Sequence, residues 1–122
     1  METTIDNLAT DAQQAQLAAL VGVLLPYTAE LLTKLEYPHL ECVVEDQAGV
    51  AFTLTVRHVN RIRIPRVLCQ TMPLVFKDAL AKKVGAHVDL KKNTLLPIEV
   101  VVATDQTSIK WVIACIRAES TW

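Results

Sequence analysis

At Tyr37-Pro38 the hydrophobic spacing of this chain changes from that of a helix to that of a strand, which calls for a fold that sets helix against sheet. Before the switch, Leu17, Val21, Leu24, Thr28, Leu31 and Leu35 recur at alternating spacings of four and three, in a stripe widened by Leu20, Leu25 and Leu32. Thr10 and Gln13 read as a capping box ahead of it, with Asp11 at the favourable end of the helix dipole. The pattern predicts a helix over 11–36, lying across a sheet rather than forming a coiled coil. Pro26 lacks an amide hydrogen for the preceding turn, so a kink or break is expected near Leu24–Pro26. Pro38 disfavours helical backbone before it and ends the element near Tyr37.

Three alternating runs follow, read as strands with one buried face each. Leu40, Cys42 and Val44 face inward in the first; Val50, Phe52, Leu54 and Val56 in the second; Ile62 and Ile64 in the third. Register follows from requiring that buried faces meet, since a one-residue slip flips every side chain. A three-residue turn at 47–49, with Gly49 left-handed, pairs Val44 with Phe52 and Cys42 with Leu54. A second at 58–60, with Asn60 left-handed, pairs Val56 with Ile62 and Leu54 with Ile64.

Thr71 is the expected N-cap of a second helix, with Pro73 in its first turn and Gly85 as its stop. Its buried stripe is Phe76, Ala79, Leu80 and Val84, with Lys77, Lys82 and Lys83 outward. Residues 86–94 fit either a short strand or a loop. The last strands, 95–104 and 108–118, turn at Asp105-Gln106 and pair Val102 with Ile109, Val100 with Trp111 and Ile98 with Ile113. Their other face carries Leu95, Val101, Val112, Ala114 and Ile116, so a dimer interface is expected on this hairpin or on the second helix.

The expected fold is α+β in the order α-βββ-α-ββ, with a mostly antiparallel sheet and the helices packed on one face. A single domain over 10–118 is expected, with a flexible start at 1–9 and a tail at 119–122. This succession of elements is similar to that of class I secretion chaperones, and the resemblance implies a small homodimeric binder of other proteins.

The 122 residues are 52% hydrophobic and only 5% aromatic, which excludes disorder and implies a core of Leu, Val, Ile and Ala. A small domain this apolar buries its excess in an oligomer interface. Cys42, Cys69 and Cys115 form no CxxC pair and lie near no histidine cluster, so reduced cysteines and no metal are expected. The start has no signal-peptide pattern, and the longest apolar run, Leu17 to Pro26, falls short of the ~20 residues of a membrane helix. A cytoplasmic protein without membrane association is the reading.

Charge is segregated. Between Arg57 and Lys92 lie nine of the twelve basic residues and two of the thirteen acidic ones, although the whole chain carries −1. On the expected register, His39, Arg57 and Arg61 share one row of the open sheet face, and Glu41, Thr55 and Arg63 share the next. Two facing arginines need a negative charge beside them, so this set would suit a phosphate, a carboxylate or an acidic peptide. Nucleic acid is the weaker alternative, because no exposed aromatics interleave the cations and no helix carries a major-groove reading set. Catalysis has less support still. Ser108 and Ser120 sit in a turn and a tail, His39, His58 and His87 lie on separate elements, and no cofactor motif is present. The sequence therefore points to a non-catalytic protein-binding domain, an adaptor acting as a homodimer without a cofactor. Its partner is another protein.

Overall fold

A computed structural model describes residues 11–117. The expected cap at Thr10, the start at 1–9 and the tail at 119–122 lie outside the described residues. The first helix, α1 (Asp11–Thr33), packs across strands β1 (Leu40–Ala48) and β2 (Ala51–His58). A second helix, α2 (Arg66–His87), is followed by β3 (Asn93–Leu95), β4 (Glu99–Val102) and β5 (Ser108–Arg117). The class is α+β with an antiparallel sheet, but the order is α-ββ-α-βββ. The class I chaperone resemblance rested on the expected order, and it lapses with it.

The difference lies at Arg61–Ile64, which is not a strand. The chain leaves β2 after His58, takes left-handed backbone at Arg61 (φ 60°), and is pinned where the Ile64 amide donates to the Gln106 carbonyl at 2.7 Å. Ile64 is buried and Ile62 is exposed, so their alternation reflects a loop crossing the end of the sheet. β5, ten residues long, takes the vacant place beside β2, with Leu54 opposite Trp111 and Val56 opposite Ile109. The strand order is β1-β2-β5, with β3 and β4 one after the other along the far side of β5.

The faces are as expected, while the β1–β2 register is offset by two residues. Cys42 lies opposite Val56 and Val44 opposite Leu54. An irregularity between Glu45 and Ala48, with Asp46 at φ 53°, takes up the difference before the turn through Gly49 at φ 59°. The terminal hairpin pairs Val102 with Ile109 and Val100 with Trp111 as expected, but β4 begins at Glu99, so the expected Ile98–Ile113 pair is not part of the ladder.

Both helices cover the face carrying Phe52, Leu54, Val56, Ile109, Trp111 and Ile113. Trp111 is fully buried, stacks on Phe76 of α2 with centroids 5.4 Å apart, and donates its indole N–H to the Pro73 carbonyl at 2.9 Å. From α1, Leu17, Leu20, Leu24, Thr28 and Leu32 enter the same core, and the Gln16 amide donates to Cys115 Sγ. By length and composition α1 could also cross a membrane, so the apolar run is longer than the sequence reading allowed. Its buried stripe is docked on the sheet.

α1 runs unbroken through Pro26. Gly22 and Pro26 both face solvent, so water can satisfy the carbonyl that Pro26 leaves unbonded. α2 begins five residues before the expected Thr71 cap. Pro65 takes the N-cap position and its carbonyl accepts from the Leu68 and Cys69 amides. Pro73 is therefore interior, and Gly85 lies within the helix rather than ending it. Ala79 is only half-buried; Met72 and Pro73 complete the stripe.

Candidate functional site

Strand alternation sends Glu41, Val43 and Glu45 of β1 to the face without helices, together with Thr53, Thr55 and Arg57 of β2. Ser108, Lys110, Val112, Ala114 and Ile116 of β5 share that face. The rows across it read Glu41–Arg57–Ser108, then Val43–Thr55–Lys110–Val101, then Glu45–Thr53–Val112–Glu99. The two-residue offset thus puts Glu41, rather than His39, beside Arg57.

One Glu41 oxygen, Oε2, accepts from Arg57 Nε at 2.8 Å and from Arg61 Nη1 at 2.9 Å. Left-handed backbone at Arg61, not a neighbouring strand, brings its side chain to this carboxylate. Both arginine hydrogen bonds hold the Glu41 carboxyl below its usual range, Arg57 contributing most. Four residues further along β1, Glu45 Oε1 accepts from the Thr55 hydroxyl at 2.6 Å and lies 3.5 Å from Lys110 Nζ. The Thr55 hydrogen bond is the main reason that Glu45 also titrates low. Between these groups is an open depression of about 320 Å³, which Thr107 and Ser108 complete. Its three cations, Arg57, Arg61 and Lys110, face two carboxylates, and one positive charge is left over.

Of the expected anion-binding set, the structure brings together Arg57, Arg61, Glu41 and Thr55. Arg63 is exposed on the loop, where its charge helps to keep Asp105 ionised behind the stronger hydrogen bonds from Thr107. His39, two residues before Glu41, instead lies 5.4 Å from the His58 ring and 5.7 Å from Tyr37. The sequence reading missed Lys110, Thr107 and Ser108, because they come from a strand some fifty residues away. Their only signal was polar alternation within an otherwise apolar run.

The expected interface set also divides. Val101, Val112, Ala114 and Ile116 lie on the open face, whereas Leu95 points to the helices and packs against the core. Thr53 and Thr55 are buried without a covering helix, 6% and 2% exposed, so the long side chains around them already close much of this face. The strongest apolar exposure lies on α2 and the loop before it. Val67 is 61% exposed, Leu74 69%, Val75 62% and Ile62 54%.

Among the described residues no group of three or more metal-ligating side chains occurs. Burial pushes the Cys42 thiol up to about 12, which leaves it protonated and unreactive. No protein-family model matches the chain, and neither a curated protein nor a solved structure is significantly similar to it.

Proposed function

We propose that this domain is a non-catalytic, cytoplasmic protein-binding module that acts as a homodimer through α2. The observation that carries this reading is the uncovered stripe of Val67, Leu74 and Val75, more exposed than any apolar group on the sheet. Such a stripe, on a helix whose opposite side is already buried in the core, marks an association surface. Thr71 lies at its centre, a small residue that permits close helix approach. Two copies crossing antiparallel at Thr71 set Val67 against Val75 and bring Asp78 toward Arg63 and Arg66, an isologous arrangement.

Light scattering across a concentration series tests this directly. The wild-type chain is expected to show twice the mass of one chain, and Leu74→Lys to show a single chain with unchanged circular dichroism. A wild-type monomer at the highest concentration would sink the reading.

A second reading, a polyanion binder, draws on the net positive charge of this cluster and on Arg61, whose side chain is 59% exposed. It predicts heparin retention at low salt that Arg61→Ser abolishes. The sharing of Glu41 between two arginines weighs against it, since an incoming anion must compete with a carboxylate already in place.

A further inference from the structure

We infer that the outer edge of β1 is a strand-addition site for an extended segment of a partner protein, apolar at alternate positions and neutral or basic between them. The inference rests on the protein-binding reading and assigns it a second surface, distinct from α2.

Hydrogen-bond parity defines the edge. The Val59 amide donates to the His39 carbonyl, and these residues stand opposite each other in the β1–β2 register. In an antiparallel pair, bonded and non-bonded pairs alternate. His39, Glu41, Val43 and Glu45 therefore spend their backbone groups on β2, while Leu40, Cys42 and Val44 direct theirs away from it. The Cys115 amide bond to Val50 fixes the complementary parity on the β5 side of β2. Among the described residues no strand pairs with the outer side of β1.

The two sides of the sheet are managed differently. Opposite β1, the boundary is broken into β3 of three residues and β4 of four, with Pro97 between them, the usual means of blunting an edge. β1 spans nine residues, has no proline or lysine, and is irregular only after Glu45. A regular edge with three outward-facing residues is a template for a peptide backbone.

Side-chain chemistry narrows the occupant. Beside the edge runs a mostly apolar groove of about 360 Å³, lined by Ala29 and Leu32 of α1 and by Tyr37, Pro38, Leu40 and Cys42. Alternate residues of an added strand would enter it. The residues between them would meet the side of β1 that carries Glu41 and Glu45. A second copy pairing β1 with β1 about Cys42 would line four carboxylates along one seam, with the compensating Arg57, Arg61 and Lys110 on the far side of it. A neutral or basic partner segment avoids that repulsion.

The test uses the full chain and an acetylated, amidated octapeptide alternating valine and lysine, with a proline-substituted peptide as control. Amide hydrogen exchange is expected to slow about tenfold or more at Leu40, Cys42 and Val44 on peptide addition, with Glu41, Val43 and Glu45 unchanged. Cys42→Pro and Val44→Pro remove only outward donors and should lose this response while keeping native circular dichroism, whereas Val43→Pro should disrupt the β1–β2 ladder. If neither outward variant folds, the wild-type exchange pattern decides alone. The proposal is overturned if the three amides are already slow in the free chain, or if they slow only with rising protein concentration, which would make the occupant a second copy. It is equally overturned if a saturating peptide leaves them unchanged. Leu74→Lys should abolish the dimer and spare peptide addition, so the two surfaces can fail separately.

Discussion

Glu41 shows how one residue can settle the charge of a whole segment. A cluster of arginines in the sequence suggests an unsatisfied anion site, yet one carboxylate oxygen bonds Arg57 and Arg61 together. Because its folded pKa lies below the ordinary 4.5, the interaction contributes stability above the unfolded value and loses it as pH falls through the folded one. Glu41→Gln should therefore lower the urea midpoint at neutral pH, with the gap to wild type closing as pH falls below the ordinary 4.5 and through the lowered folded value. A gap that persists in acid would mean that the side chain acts through packing instead. The effect should be small, since the group is solvated. Glu41 was legible as a neighbour of the arginines, but its partners depended on a two-residue offset that no single residue announces.

Elements differed in how well their own residues specified them. The expected strand 95–104 is broken before Glu99. The β4–β5 hairpin was readable next to its turn, where Val102–Ile109 and Val100–Trp111 pair as expected because the strands are joined by few residues. There Asp105 accepts from both the amide and the hydroxyl of Thr107. The β1–β2 pair kept its faces but not its offset, since inward residues still meet inward residues after a shift of two. Arg61–Ile64 failed because two alternations, ending at Pro65, carry too little information to distinguish a strand from a loop with one buried anchor. α1 is the reverse case, a helix that tolerates its proline. Thr28 closes the same turn by donating its hydroxyl to the Leu24 carbonyl at 2.7 Å. Pro26→Ala would restore a backbone bond at solvent-facing Gly22 and should stabilise the domain by about 1–3 kcal/mol, measured as a higher midpoint in urea. No change would show that water already satisfies the Gly22 carbonyl at no net cost.

Across the whole molecule, Trp111 joins the middle of the sheet to α2 by a buried ring stack and a buried hydrogen bond. This bolt keeps one face of α2 in the core and leaves Val67, Leu74 and Val75 outward. It also commits β5 to the interior of the sheet, so that among the described residues β1 is the long edge with a strand on one side only. The two proposed surfaces thus follow from one packing decision.

Hydrophobic period alone determined the α+β class, the inward faces of β1, β2, β4 and β5, and the pairing next to the last turn. These depend on spacing along the chain, which local backbone geometry converts directly into direction. Tertiary structure alone decided which strand lies beside β2, and with it the arginine–glutamate arrangement and the identity of the free edge. Periodicity says which way a side chain points, not which neighbour it meets. Here a ten-residue strand from the far end of the chain could bury more against β2 than Ile62 and Ile64 could offer from nearby.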